Sequence, residues 1–443
     1  LSNCALIESS LGNYYMAKLF VDVALKYLRQ GIGYNSSKKL TNTLSELAST
    51  ANINLNDEDI SEQTNRMLQI RPYIQILSNA AIIYEKAGFW NDAVLCIKES
   101  IKISEEINEP YSLNYNNLAT LYLSQSKVKE SLAYFEKAIS ICKTEYEKNE
   151  LWFNYALALW LSNSNQCVEV AAQASKYITE SIANNFSFLS QDEKYNYYEH
   201  FEQYLPFLNL MFYENKGQNQ YGYIYNNILT TKGLLLRTAN GVKNTILSSG
   251  NENAINDYNR MILLRQQMTN ERDSIQLIKL REESEKLDKR LSRSAAEYGA
   301  FIKSNNVKWQ DICKTLKDDE IAIEFYNIPI IYKNDTIQKI GGEPRYCAVF
   351  LKRGFNNPQI IPLCKESELE ELDFEDLYNS HITYKLIWEP IKSALAGINT
   401  IYFSADRKLH QIGIEYALLP NNNRIDEKYN IYRELLTANL WQI

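Results

Sequence analysis

Glycine and proline are scarce in this chain, with 15 and 9 among 443 residues. That shortage excludes an all-β fold built on closely spaced Gly/Pro turns and favours long helices. Histidine is scarcer still: His200, His381 and His410 are the only three. The seven cysteines (Cys4, Cys96, Cys142, Cys167, Cys313, Cys347, Cys364) are odd in number and far apart, without a C-x-x-C pair. A disulfide framework and a zinc ribbon are therefore not expected, and a reducing cytoplasm fits best. No apolar run approaches the roughly 18 residues of a membrane span. The first ten residues lack a basic stretch followed by an apolar one, so no signal peptide is read there. The first residue is leucine, which points to a chain that begins partway through a longer protein.

The net charge is −7, with lysines and arginines spread throughout. That leaves no basic patch of the kind nucleic acid requires. Hydrophobic residues at 45% and charged residues at 23% are ordinary for a globular chain. At this length a single core is exceeded, since cores stop growing at roughly 250–300 residues.

What is abundant is a repeat. "LSNAAIIYEKAGFWNDAVLCIKESIKI" places Leu77, Ala80, Ala81 and Tyr84 at the spacing W-x2-L-G-x2-Y, then Gly88 in a turn, then Ala93 and Ile97. "YNNLATLYLSQSKVKESLAYFEKAISI" repeats it with Tyr115, Leu118, Ala119 and Tyr122, then Ser131, Phe135 and Ala138. Tyr84 and Tyr122 are 38 apart in sequence, one helical turn beyond the usual ~34 residues. A third unit follows with Phe153, Ala156, Leu157 and Trp160, then Ala174, Ile178 and Ser181. At the start, Ala17, Val21 and Ala24 read as the second helix of a unit whose first helix is short. Small residues let paired helices approach, and aromatics fill the gap to the next pair. These segments resemble tetratricopeptide repeats over about residues 1–190; an irregular helical bundle is the alternative that periodicity alone leaves open.

Such arrays usually bind extended peptides or partner helices on the concave face formed by the first helix of each pair. Asn79 and Asn117 take equivalent places there, each one residue before the repeat's Leu position. A carboxamide both donates and accepts, so it can pair with a peptide backbone, or brace a helix instead. Gln75, Asn116, Thr120 and Asn154 are further candidates on the same face.

From residue 191 to 316 the pattern stays helical without a clean repeat. Glu282 stands four before Lys286, and Glu285 four before Lys289, the favourable order for ion pairs along one helix. Leu280, Leu287 and Leu291 supply an apolar stripe beside them, so a half-solvated antiparallel hairpin is expected, leading to "VKWQDICKTL". "TTKG" around Lys232 lacks the G-x-x-x-x-G-K-[ST] spacing of a phosphate loop, and nucleotide binding is rejected. Lys232 and Arg237 are expected to lie along a packed helix with their charged ends in water.

After Asp318 the texture changes to short β-rich runs: "EIAIEFYNIPII", "YCAVFLKRG", "PQIIPLC" and "TIYFSADRKLHQIGIEYAL". The last is expected to form a strand, a polar turn, and a second alternating run that carries His410. Between them "DLYNSHITYKLIWEPIKSAL" has loosely helical spacing, so an α/β unit is expected. The ordered series of repeats, "YNNILTTKGLLLR", "KWQDICKTLKDDEIAIEFYNIP", "LIWEPI" and "IYFSADRKLHQIGIEYALL" resembles a TPR–CHAT protein, in which a caspase-like domain follows tetratricopeptide repeats. The arrangement looks like that of homologues from gut Bacteroidetes.

That resemblance implies a parent family of cysteine endopeptidases with a His–Cys dyad downstream of "LHQIGIEYALL". In this chain no cysteine is followed by a Gly loop suited to an oxyanion, and the ending "YRELLTANLWQI" departs from the family's usual run. No catalytic residue, metal ligand or cofactor is therefore assigned. His410 is expected to be a structural imidazole that packs the sheet, Cys347 a buried strand residue, and His200 and His381 structural. The resulting expectation is mainly α: a tetratricopeptide-type α-solenoid (1–190), a helical connector with a hairpin (191–316), and a partial caspase-like α/β domain (317–443). It binds a protein or peptide ligand on the concave face, with no nucleic acid or membrane. Two alternatives remain: a peptidase using Cys347 or Cys364 with His381 or His410, and a purely structural solenoid. Cys347, Cys364 and His381 are evenly spaced, yet lack the close ligand pairs a metal site needs.

Overall fold

A computed structural model describes residues 2–31, 57–186, 189–215, 218–297, 307–329 and 343–434. The ends of "EIAIEFYNIPII" and "AAEYGAFI", and the closing "LLTANLWQI", lie outside these residues. The protein is mainly helical, with a small mixed sheet toward its C-terminal end. Its contacts divide after Cys167 into two compact units.

In the first unit, helices follow one another as the apolar spacing predicts. They are α1 (Ser2–Ser10), α2 (Tyr14–Gly31), α3 (Asp57–Lys86), α4 (Trp90–Glu106), α5 (Ser112–Ser124), α6 (Val128–Ile141) and α7 (Glu145–Leu161). α1 is indeed short, at 9 residues against 18 in α2. α3 runs to 30 residues and contains Pro72. Pro72 precedes Pro110, which stands just before α5, by one repeat length, so it marks where the first helix of its repeat begins. The preceding residues of α3 are an extension.

The turns between helices share one geometry. Gly88 (φ 81°) and Ser126 (φ 60°) are left-handed at equivalent positions. In each turn a backbone N–H reaches back past the helix end: Phe89 to Tyr84 O at 2.8 Å, and Lys127 to Tyr122 O at 2.9 Å. This closes the helix on its last free carbonyls. The left-handed backbone favours glycine, and Ser126 adopts it because the same hydrogen bonds hold it there.

Ala80, Ala81, Ala93 and Ala119 are all buried, and Phe135 of α6 is fully buried with its ring against Tyr155 of α7 (6.1 Å). Burying a ring of that size stabilises by about 1.5–3 kcal/mol. A polar brace crosses three helices: Ser78 Oγ donates to Asn114 Oδ1 (2.7 Å), and Asn114 Nδ2 donates to Ser100 Oγ (2.8 Å). All three are buried and satisfied.

The second unit carries most of α8 (Cys167–Asn185), then α9 (Gln191–Glu202), α10 (Tyr204–Glu214), α11 (Tyr221–Thr231) and α12 (Leu234–Ser248). Next come α13 (Glu252–Asn270), α14 (Ser274–Glu297) and α15 (Trp309–Thr315). α13 and α14 form the expected hairpin over Leu280, Leu287 and Leu291. Its charges pair between helices rather than along one: Lys289 with Glu193 of α9 (2.6 Å), Arg290 with Asp257 (2.6 Å), and Arg265 with Asp288 (2.9 Å). The hairpin is thus docked: Lys194, 1% exposed, donates to Ser292 (3.1 Å).

The strands are β1 (Glu320–Ile328), β2 (Arg345–Lys352), β3 (Gln359–Lys365), β4 (Thr400–Ser404) and β5 (Asn430–Arg433). They lie in the order β3-β2-β1-β4-β5, with β1 antiparallel to β2 and parallel to β4. β2 and β3 are antiparallel, and β4 and β5 parallel. β1 is buried on both faces. One face holds Ile323, Phe325, Tyr346, Phe350 and Phe403 against Trp388, Leu409 and Ile412. α10 and α11 pack on β1, and α15 on β2. Glycine is required at one of these contacts: a Cβ on Gly222 of α11 would meet Trp309 Nε1 at 2.6 Å.

Three expectations change here. The "LHQIGIEYAL" run folds into two 3-10 turns (Arg407–His410 and Ile414–Tyr416), and β5 lies beyond it. Leu409, Ile412, Ile414, Ala417 and Leu419 are all buried, and their irregular spacing suits turns rather than a two-residue period. The "YKLIW" segment forms one π-helical turn (Tyr384–Trp388), closed by Glu389 N–H to Tyr384 O at 2.9 Å. The wider turn brings Tyr384, Ile387, Trp388 and Ile391 onto the core together. Lys232, expected to extend into water, turns inward.

Candidate functional site

In the first unit α5 packs on α3 and α7 as well as on its own partner α6. The first helices therefore form a continuous layer, and one stripe of each is left open. On α3 that stripe includes Gln75, Asn79 and Ile82; on α5 it includes Leu113, Asn117 and Thr120. Asn79 and Asn117 sit at matching, half-buried positions. Gln75 donates to Asn79 Oδ1 at 3.2 Å, and Thr120 Oγ donates to the Asn117 carbonyl at 2.9 Å. Among the described residues the Asn117 carboxamide has no partner.

Asn116 and Asn154 are placed differently. Asn116 is 1% exposed and lies off the open stripe, and Asn154 of α7 donates to its Oδ1 at 3.1 Å. This pair bridges α5 and α7. Asn116 Nδ2 has no acceptor. Sequence reasoning missed Ile82 and Leu113, 39% and 41% exposed on the same surface. Their signal was the repeat itself, since Leu113 is the equivalent of Gln75 and Ile82 of Thr120.

The second unit gathers polar groups beside the middle of β1 and the carboxyl end of β4. Lys232 caps α11, and Gly233 (φ 64°) turns the chain into α12. The Lys232 ammonium donates to Glu324 Oε2 (2.8 Å), the Phe325 carbonyl (3.0 Å) and the Ser404 carbonyl (3.1 Å). All three of its protons are used. The side chains of Lys232 and Glu324 are 9% and 0% exposed. Arg237 Nη2 caps the last turn of α11 through the Leu229 (2.8 Å) and Thr230 (3.0 Å) carbonyls. Burial lowers its guanidinium to about 10. A further chain runs from Ser175 through Asn227 and Asn209 to the Tyr326 hydroxyl, with contacts of 3.2, 2.8 and 3.1 Å.

His410 does not pack the sheet with its imidazole. The ring is exposed, and its pKa is pushed down, chiefly by partial desolvation and then by Lys232. The backbone does the holding: Arg433 Nη2 donates to the Leu409 (2.7 Å) and His410 (3.0 Å) carbonyls. His381 Nδ1 lies 3.3 Å from the Leu418 carbonyl, and His200 is edge-on to Phe201 and Tyr204.

Cys347 and Cys364 are 1% and 3% exposed, and burial pushes both thiols up to about 12. A nucleophile must be a thiolate, so neither thiol is activated here. Cys364 belongs to the same core cluster as Trp388, and Cys347 alternates to the opposite face of the sheet, so the two thiols do not share one face; His381 is held elsewhere, at the Leu418 carbonyl. No group of three or more metal-ligating side chains occurs among the described residues. Iodoacetamide at pH 8 is expected to leave both thiols unmodified in the folded chain and to label both in denaturant, as read by peptide mass. Full labelling of either in the folded state would show an activated cysteine. Both pKa values exceed the ordinary 9.0, so the folded state keeps two protons that the unfolded chain loses. Their effect on stability is nil below pH 9, and stability falls as pH rises from 9 toward 12.

No helix among the described residues is long and apolar enough to cross a membrane. No curated protein matches the chain. Residues 73–164, spanning the two clearest units and the start of the third, match the tetratricopeptide repeat family, and this region is a repeat array of the protein-interaction type.

Proposed function

We propose that the open face of the first helices binds an extended segment of a partner protein, with Asn79 and Asn117 as paired contacts to its main chain. The observation that carries this reading is the placement of two carboxamides one repeat apart, both reachable, within a matched tetratricopeptide region. Gln75 orients the Asn79 carboxamide and Thr120 lines the same stripe beside Asn117, while Asn116 and Asn154 set the spacing of α5 and α7 beneath it.

The proposal extends to the whole chain: an interaction array over 1–190, a helical connector over 191–316, and the N-terminal part of a CHAT-type α/β domain over 317–443. In a cytoplasmic bacterial parent protein, partner binding on the repeats would restrain or release a cysteine endopeptidase. The mixed sheet with helices on both faces and the ordered motifs support this part. The buried, protonated Cys347 and Cys364 favour assigning the chemistry to residues other than these.

The test uses the full chain against an array of synthetic peptides of varied composition. In Asn79→Ala/Asn117→Ala, affinity for the bound peptides is expected to fall about tenfold or more, since each lost hydrogen bond is worth about 0.5–1.5 kcal/mol. Thermal unfolding should be unchanged, because both groups are half-exposed. Unaltered binding by the double variant would remove both carboxamides from the contact, and binding of no peptide by the parent chain would leave a purely architectural solenoid.

A further inference from the structure

We propose that the aromatic surface around Phe374 is a docking site for an arginine-rich extended segment of a partner protein. It belongs to the second unit, so it is a contact additional to the one proposed for the repeats.

Three rings form the surface. Among the described residues Phe374 is the most exposed large apolar side chain of the second unit, at 72%. It opens a short helix (Phe374–Asn379) whose Leu377 packs against the sheet core. The Phe374 ring lies 4.9 Å from that of Tyr378, one helical turn on. The Tyr378 hydroxyl accepts from the Gly413 N–H at 3.0 Å, which joins this helix to the turn Ile414–Tyr416. A Cβ on Gly413 would meet Tyr416 Cδ2 at 2.7 Å and lie 3.6 Å from Tyr378 Cε1, so the two tyrosine rings flank that glycine. Tyr416 is itself 45% exposed. Adjoining rings left in water mark a place where a partner removes apolar surface from solvent.

Charge names the partner. From Glu366 to Tyr384 the chain carries seven carboxylates and no lysine or arginine. Glu370, Glu371, Asp373 and Glu375 are exposed. Asp373 accepts from the Asp376 N–H (2.8 Å) and Glu375 from Asn379 Nδ2 (2.6 Å), contacts that leave both charges uncompensated. Among the described residues no lysine or arginine pairs with any of these four. Lys365, the base that precedes them, is paired with Glu343 at 2.7 Å. Nucleic acid and anionic lipid are repelled by such a field, and a cationic segment is drawn to it.

The same surface already holds one contact of the kind proposed. The Arg424 guanidinium carbon lies 5.1 Å from the centre of the Tyr416 ring, while Nε and Nη2 donate to the two oxygens of Asp426 at 2.9 and 2.8 Å. A cation thus lies over a ring with its hydrogen-bonding edge on a carboxylate. Phe374 offers the same elements, an open ring between Asp373 and Glu375, without a guanidinium. Arginine fits there better than lysine, because its planar fork can stack and pair at once.

The experiment titrates the full chain with fluorescent synthetic peptides of equal length that alternate serine with arginine, lysine or glutamate. The arginine set is expected to bind more tightly than the lysine set and at least tenfold more tightly than the glutamate set. Its binding should weaken as salt rises from about 0.01 to about 0.1 M, where the screening length falls from about 30 to about 10 Å. Phe374→Ala should weaken it about threefold, the loss of one exposed cation–ring contact. Glu370→Gln/Glu371→Gln should weaken it further and flatten the salt dependence. These side chains are exposed, so circular dichroism should match the parent. Glu252→Gln/Glu282→Gln, which removes two exposed carboxylates from the α13/α14 hairpin, should leave the affinity unchanged, as should Asn79→Ala/Asn117→Ala. An equal loss in Glu252→Gln/Glu282→Gln would assign the attraction to net charge and overturn the site. A loss in Asn79→Ala/Asn117→Ala would place the peptide on the repeats and also overturn it. Failure of the arginine set to bind, or binding indifferent to Phe374→Ala and Glu370→Gln/Glu371→Gln, overturns it and leaves the reading of the repeats standing.

Discussion

Lys232→Met is expected to destabilise the second unit by about 3–5 kcal/mol, because it leaves the Glu324 carboxylate buried without its cation. In a unit of this size that lowers its melting temperature by roughly 10 °C. The Phe325 and Ser404 carbonyls lose their donor as well, at about 1–3 kcal/mol each if no water replaces it. Lys232→Met/Glu324→Leu should recover part of the loss, since removing both charges costs far less than removing one. The carbonyls remain unpaired in the double variant, so recovery stops short of the parent. Calorimetry on the parent chain, the single variant and the double variant decides it. A Lys232→Met chain that melts with the parent would show that the ammonium between β1 and β4 contributes nothing.

Trp388→Ala is expected to cost about 3–5 kcal/mol. Trp388 is fully buried, edge-on to both Phe325 (5.8 Å) and Phe403 (6.2 Å), and its Nε1 donates to the Ile414 carbonyl at 2.8 Å. It therefore joins the two parallel strands β1 and β4 to the 3-10 turns that follow β4. Trp388→Phe keeps most of the ring contact and loses the hydrogen bond, so a smaller loss is expected, about 1 kcal/mol for the bond plus the cost of the reduced volume. Urea titration followed by near-ultraviolet circular dichroism measures both. Equal losses in the two variants would place the whole effect in the hydrogen bond, and no loss in either would remove Trp388 from the core.

Much of the repeat array is legible because its information is local. The spacing of Ala80, Ala81 and Tyr84, recurring at Leu118, Ala119 and Tyr122, belongs to single helices and to pairs adjacent in sequence. The five strands are less evenly legible. β1, β2 and β3 show as apolar runs. β5 is only four residues long and largely exposed, so it carries little apolar signal. The run after β4 alternates for a few residues and yet turns, its carbonyls held by Arg433 of the neighbouring strand β5.

The candidate face divides in the same way. Asn79 and Asn117 are found by repeat equivalence alone. Asn116 and Asn154 share the stripe by type, but helix-to-helix packing turns them toward each other. Lys232 is the clearest case of a residue misread from its neighbours. Beside "TTKGLLLR" it looks amphipathic, and the carboxylate that draws it inward lies 92 positions further along the chain.

The sequence by itself determined the helix pairs, their turns, the small residues at their crossings and the change to strands after Asp318. These depend on backbone propensity and on periods of a few residues. Only the tertiary structure decided which polar side chains stay open to a partner and which are buried in pairs. Burial of a charge or a carboxamide is tolerable only where a specific partner meets it, and those partners come from segments distant in the chain.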